Sequence, residues 1–295
     1  MSTQNWIKKN TRSLAGKTYA VTGSTGGIGK ELCRHLAALG ADLILMDRNR
    51  QRSESFGAEL EASYPGIRVD YITMNLEDMD TVVSGCEMLK AMPVDGIIHN
   101  AGAYSIPRHK CTTGLDNVFQ INFFAPYYIT KELLPCLRER DGRVIAVGSV
   151  AHNYSKTDPS DVDFSTRKKA SLVYGNAKRY LMFAMHELFR GETAAHLAVT
   201  HPGITFTNIT AHYPKLIFAV IKHPMKVIFM KPKAAALSIL DGVFRDTPYG
   251  EWTGPALFDV WGHPKTRMLR TCTDDEKNRI FRTAEELYNK FKENV

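Results

Sequence analysis

The stretch from Lys17 to Leu39 constrains the fold of this chain more than any other. A short apolar run, Lys17-Thr18-Tyr19-Ala20-Val21, leads through Thr22-Gly23-Ser24-Thr25-Gly26-Gly27-Ile28-Gly29 into a segment with Ile28, Leu32, Leu36 and Leu39 on one helical face. That order reads as a buried strand, a glycine-rich turn and an amphipathic helix. Gly23 permits a tight turn, Gly27 lets a ligand approach the backbone, and Gly29 lets the helix pack closely. The helix start offers free N–H groups and a positive dipole end, which suits a diphosphate. Gly40 stops the helix.

The same alternation continues along the chain. Strands are predicted over Asp42 to Met46, Ile67 to Met74, Val94 to His99, Val144 to Gly148, Leu197 to Thr200 and Thr253 to Phe258. Helices fall between them, over Leu76 to Lys90, Leu115 to Leu137 and around Tyr174. This order requires an α/β fold, a doubly wound parallel sheet with helices on both faces. No repeat or linker divides it, so one domain over residues 1–295 is expected. Its core spans 15–260, and a charged C-terminal helix occupies 270–295.

Further motifs follow in sequence. Asn100-Ala101-Gly102 comes after an apolar run, Asn122 lies within a helix, and Ser149 ends a strand. Tyr174 and Lys178 stand four apart, and Pro202-Gly203 precedes Thr207. With the TGxxxGxG spacing of the first loop, the chain resembles the short-chain dehydrogenase/reductase family over roughly residues 15 to 260. It is most similar to the retinol dehydrogenase branch. The resemblance implies a single-domain Rossmann fold. It implies catalytic roles for Asn122, Ser149, Tyr174 and Lys178. It also implies dinucleotide contacts from Gly23, Ser24, Thr25, Gly27, Ile28, Gly29, Asp47, Arg48, Asn75, Leu76, Asn100, Ala101, Gly102, Tyr174, Lys178, Pro202, Gly203 and Thr207. Three positions depart from the family pattern: Asn75 where Asp is common, Gly148 where a second Ser is common, and Ala177 where Ser is common.

The chemistry behind these types is hydride transfer on an alcohol/carbonyl pair. A free phenol has a pKa of about 10 and is a weak base at neutral pH. Lys178, one turn beyond Tyr174, shares its helix face, and an ammonium there favours the phenolate. In reduction the same phenol donates its proton to the developing alkoxide. A Tyr and a Lys at this spacing would, alone, be an ordinary packed ring and solvated amine; the glycine loop and Ser149 change that reading. The resemblance adds ribose binding by Lys178, substrate contact by Ser149 and a water relay through Asn122. Two other uses share these features: reduction of a carbon–carbon double bond, and dinucleotide sensing without catalysis.

Cofactor choice hangs on Asp47, which can accept from a ribose 2′-hydroxyl and repels a 2′-phosphate. Beside it, Arg48 can pair with a 2′-phosphate or stack on adenine. The expectation is NAD(H) or NADP(H), with NAD favoured. The segment Leu216 to Met230 is apolar but carries Lys222, His223 and Lys226, and it is too short and too charged to span a bilayer. It reads first as part of a substrate lid over 204–235 that covers an apolar alcohol or ketone. A dimer contact comes next, and a membrane-surface contact third. Self-association is compatible with the sequence.

Lys and Arg number 38 against 31 Asp and Glu, an excess of seven spread without the basic-aromatic patterns of nucleic-acid binders. Cys33, Cys86, Cys111, Cys136 and Cys272 form no CxxC, which argues against a disulfide framework or a zinc site. A polar N-terminus and these cysteines suit the cytoplasm.

Overall fold

The computed structural model describes residues 1–204 and 230–294. Eight strands make one sheet: β1 Thr18–Thr22, β2 Asp42–Asp47, β3 Val69–Thr73, β4 Gly96–His99, β5 Arg143–Val147, β6 His196–Thr200, β7 Glu251–Leu257 and β8 Trp261–Met268. Their spatial order is β3-β2-β1-β4-β5-β6-β7-β8. β1 pairs in parallel with both β2 and β4, so the winding reverses there. In such sheets the crevice outside the strand ends at the reversal is where ligands bind.

Alternating residues along the strands feed two separate cores. Ala20, Ile97, Val144 and Ala146 face one side. Val21, Ile98, Ile145 and Val147 face the other. The first core is closed by helices α4 (Met79–Lys90), α5 (Asn117–Phe119 continuing through Gln120–Phe124 into Ala125–Glu139), α6 (Ala170–Leu188) and α8 (Asp274–Lys292). The second is closed by α1 (Thr3–Asn10), α2 (Gly27–Ala38), α3 (Arg50–Ser63) and α7 (Pro232–Phe244). Burial on both faces is why the strands read as continuous apolar runs.

Three elements depart from the expected pattern. The sheet is not wholly parallel: β8 runs antiparallel to β7. The hairpin turns on Phe258 and Asp259 at φ 55° and 56°, where the usual Asn-Gly signal is missing. α1 forms in a segment that reads as merely polar, with Ser2 as its N-cap and Trp6 buried. α7 was not foreseen either; Pro232 stands in its first turn, where the missing N–H costs nothing. The expected lid span 204–235 lies outside the described residues from 205 to 229, as does the segment from 216 except Met230. Among the described residues no helix is long and apolar enough to cross a membrane, no three metal-binding side chains gather, and all five cysteines are unpaired.

Candidate active site

A cavity of about 390 Å³ opens at the reversal point. Gly23, Thr25, Gly27, Ile28, Gly29, Asp47, Arg48, Asn75, Leu76, Asn100, Ala101 and Gly102, each expected from the sequence to touch a dinucleotide, line it. Gly23 turns at φ 65°, and a Cβ there would come within 2.9 Å of Ala101 Cα. A Cβ on Gly29 would lie 2.2 Å from the carbonyl oxygen of Gly23 and 2.9 Å from Asn100 Nδ2. Gly29 is therefore needed for contact with its own loop and with Asn100, a nearer constraint than packing on the sheet. Asn100 Nδ2 donates to the carbonyls of Thr22 and Gly23, both at 3.1 Å, which stitches the loop to the turn after β4. Gly26 precedes α2 without any side-chain cap, so the loop keeps donors for an anion.

Asp47 is buried and already engaged. Its carboxylate accepts from Ser24 Oγ, from the amide of Thr25 at 3.3 Å and Thr25 Oγ1 at 2.9 Å, and from Ser53 Oγ at 3.2 Å. Ser24 is thus a prop of the loop and does not line the cavity. Arg48 and Arg52 are exposed on the cavity rim, and among the described residues neither side chain has a hydrogen-bond or ion-pair partner. Asn49, the N-cap of α3, places Arg52 one turn further on. Arg52 was not foreseen; its i+4 spacing from Arg48 is the signal that could have found it.

Gly102 is where the cavity meets the second group of residues. A Cβ there would be 2.8 Å from Asn122 Oδ1 and 3.7 Å from Lys178 Nζ. Asn122 sits in a π-helical stretch, Gln120–Phe124, inside α5. Such stretches are rare and cluster at functional sites. Its Nδ2 donates to the carbonyls of Ala103 and Val118, each at 2.8 Å, and its Oδ1 accepts from the amide of Ala103 at 3.2 Å. Asn122 is fully buried, not an exposed mid-helix amide, and its side chain fixes the strand-end turn.

Ser149 follows β5 and caps a short 3-10 turn, Val150–Asn153. α6 reaches it because Gly175 has no side chain: a Cβ there would lie 2.3 Å from the carbonyl oxygen of Ala151. Gly148 makes room for Met182, whose Sδ would be 2.6 Å from a Cβ. Ala177 is fully buried, which explains a small apolar residue at that position. Burial pushes the Tyr174 phenol up to about 12, with a hydrogen bond to Ser149 pulling the other way. Burial pulls Lys178 down to about 7. Its Nζ donates to the carbonyl of Val147 at 2.8 Å and lies 5.9 Å from the Tyr174 ring centre. The lowering of the phenol expected from the neighbouring ammonium does not appear here: Lys178 contributes nothing to the Tyr174 shift, and desolvation dominates for both groups. Tyr104 stands edge-on to Tyr174 at 5.4 Å, an aromatic wall that sequence reasoning missed.

Besides Ser24, four predicted dinucleotide contacts do not line the cavity: Tyr174 and Lys178, which stand behind its rim at Gly102, and Pro202 and Gly203, which lie apart from it. Pro202 and Gly203 are buried, and Gly203 packs on the β7–β8 hairpin, where a Cβ would meet Pro255 and the Val260 carbonyl at 2.9 Å. Neither lines the cavity. Thr207 is outside the described residues.

Comparison with known proteins bears on the whole arrangement. Retinol dehydrogenase 12 from Mus musculus is 30% identical over 203 residues, covering 67% of this chain and 64% of that relative. Across the first four curated relatives the chain spans 59–68% of their length. An uncharacterized protein from Mycobacterium Paratuberculosis superposes with a TM-score of 0.74 at 22% identity, over 96% of this chain and 97% of its own. A short-chain dehydrogenase from Sphingobium yanoikuyae in complex with NADPH gives a TM-score of 0.55 at 21% identity, over 66% of this chain and 74% of its own. These structures agree on the fold. The family model for short chain dehydrogenase matches residues 17–212. That match covers more than half of the chain, which therefore belongs to the short-chain dehydrogenase family.

Proposed function

We propose that this protein is a nicotinamide-dependent oxidoreductase acting on an alcohol/carbonyl pair. The observation that carries the reading is the convergence at Gly102. There the rim of a dinucleotide-sized cavity lies within reach of Lys178 Nζ and Asn122, with Tyr174 and Ser149 on the adjoining helix and turn. A bound nicotinamide dinucleotide would accept or supply the hydride. The uncapped loop from Gly23 to Gly29 would hold its diphosphate, and Asn75 and Leu76 would line its adenine end. Ser149 would donate to the substrate oxygen. Tyr174, protonated at neutral pH, would pass its phenolic proton to that oxygen in the reductive direction. Lys178 would stabilise the phenolate left behind, and Asn122 would hold the Gly102–Ala103 turn that borders all three.

Tyr104 beside Tyr174 and the apolar sequence from Leu216 to Met230 support an apolar substrate, as does the likeness to a retinol dehydrogenase. Cofactor choice draws on two observations. Asp47 is already engaged by three hydroxyls, and the unpaired Arg48 and Arg52 share its rim. The expected preference for NAD gains no support from the structural neighbours, one of which is an NADPH complex. We therefore extend the reading to NADP(H) on equal terms. The test is a screen of apolar ketones and alcohols with both dinucleotides, following reduced-nicotinamide absorbance. Turnover of at least one pair is expected. Failure of both dinucleotides to bind in calorimetric titration would overturn the reading.

A further inference from the structure

The family match stops at residue 212, yet a helix beyond it packs on the helix that carries Tyr174 and Lys178. α8 begins at Asp274 with Thr273 as its N-cap. Glu276, in its first turn, forms a buried ion pair with Arg179 of α6, the residue after Lys178. Both side chains are nearly inaccessible, at 2% and 5% exposure. The contact is two-pronged: Nε to Oε1 at 2.8 Å and Nη2 to Oε2 at 2.7 Å. Arg179 Nη2 also donates to the carbonyl of Thr271, and Nη1 to the carbonyl of His152 at 3.0 Å. Glu276 accepts further from the amide and hydroxyl of Thr157, each at 3.0 Å.

His152 continues the chain of contacts. Its Nδ1 donates to the carbonyl of Ser149 at 2.6 Å. Its ring stands edge-on to Trp252 at 5.2 Å and to Phe183 at 6.2 Å. With Nδ1 carrying the proton, Nε2 is an acceptor, and it is buried without a partner among the described residues. Burying a bare acceptor costs stability. A buried ion pair is also poor value as a stabiliser, since well-packed apolar residues commonly serve as well or better. The arrangement therefore makes better sense as geometry. Arg179 lies five residues after Tyr174 on one rigid helix, and His152 lies three after Ser149 on one turn. The guanidinium ties these two segments to each other and to α8.

We propose that Arg179 and Glu276 are positioning residues that set Ser149 against Tyr174, which makes the C-terminal helix part of the working site. The inference rests on the oxidoreductase reading above. In the full-length protein, the decisive variant is the double replacement Arg179→Met with Glu276→Leu, which removes both charges and leaves neither unpaired. Its unfolding midpoint and dinucleotide affinity are expected to stay near wild type, with KM for the dinucleotide unchanged. Its kcat should fall about ten- to a hundredfold, as a misplacement of about 1 Å allows. Arg179→Lys should recover only part of the rate, because an ammonium cannot reproduce the two-pronged contact. Should the double variant fold poorly, Glu276→Gln keeps the shape and the Thr157 contacts, and the same drop in kcat with unchanged dinucleotide affinity is expected. Wild-type kcat in the double variant, or in Glu276→Gln, would overturn the proposal. So would rates that fall only in step with the unfolding midpoint. Tyr174→Phe in parallel separates the two claims: if that variant turns over normally, the oxidoreductase reading fails first.

Discussion

The glycine loop and the reaction centre lie at the same edge of the sheet and are built by opposite means. Around Gly23 and Gly29 the site is made of backbone, open to solvent, with side chains excluded by contacts as short as 2.2 Å. Around Tyr174 and Lys178 the site is made of side chains, taken out of water far enough to push a phenol up to about 12 and an ammonium down to about 7. A backbone cradle needs only permitted torsions and can be encoded within eight consecutive residues. A desolvated pair needs walls, and those come from α5, from the Ser149 turn and from Tyr104, far apart in the chain. Binding and chemistry should therefore be separable by mutation.

The largest expected effect tests that separation. Tyr174→Phe removes the proton and leaves the ring against Tyr104. The rate should fall by about 10²–10⁴, with dinucleotide affinity by calorimetry close to wild type. Loss of both together would mean that the two regions are one site energetically.

Burial of Lys178 gives the second test, through stability. The unfolded lysine holds its proton up to about 10.5, whereas the folded one releases it near pH 7. Between those values the unfolded state binds more protons, so this residue's penalty is full below pH 7 and fades as pH rises toward 10.5. Lys178→Met carries no such penalty. The variant should gain stability over wild type on the order of a few kcal/mol at pH 6, with the gap narrowing by pH 9 in urea titrations. The neighbouring His99 and His201, pulled down to about 3 and about 4, do not titrate in this window. A gap that is flat with pH would show that the ammonium is better solvated than its burial implies.

How much of this was legible follows the same division. The loop, the Asn100–Gly102 turn and the order of the first seven strands are local patterns, and the structure places them as read. The π-helical stretch around Asn122 has no local signal, because its pitch is set by the bonds from Asn122 to Ala103 on another element. Gly175 reads as a weakness in a helix until Ala151 is seen 2.3 Å from its would-be Cβ. Asp47 reads as a ribose contact, and only the fold shows Ser24, Thr25 and Ser53 competing for it. The antiparallel β8 escaped because its turn uses Phe258 and Asp259 instead of glycine or asparagine. Arg179 and Glu276 are 97 positions apart and announce nothing in sequence.

Gly29→Ala probes the backbone side at smaller magnitude. The new methyl would press on the Gly23 carbonyl and on Asn100. Overpacking of this kind costs about 1–3 kcal/mol, so dinucleotide affinity should fall about ten- to a hundredfold. The kcat at saturating dinucleotide should change little, because the loop does not touch Ser149. A matching drop in kcat would show that the cradle also orients the reacting ring.

The smallest expected effect sharpens the comparison at the rim, where the cradle ends in side chains. Arg48 and Arg52 are exposed cations, so each contributes through partly screened attraction, about 1 kcal/mol or less. The double variant Arg48→Ala with Arg52→Ala should weaken NADP(H) by about tenfold and leave NAD(H) within about twofold. Asp47→Ala should behave differently. It frees Ser24, Thr25 and Ser53 as well as removing a carboxylate, so both dinucleotides should weaken as the loop loosens, and any gain for NADP(H) should be relative only. If instead Asp47→Ala strengthens NADP(H) outright while NAD(H) collapses, the carboxylate reads the ribose directly. The hydroxyls around it would then be incidental, and the rim would belong with the reaction centre as a place where a side chain, not the backbone, makes the choice.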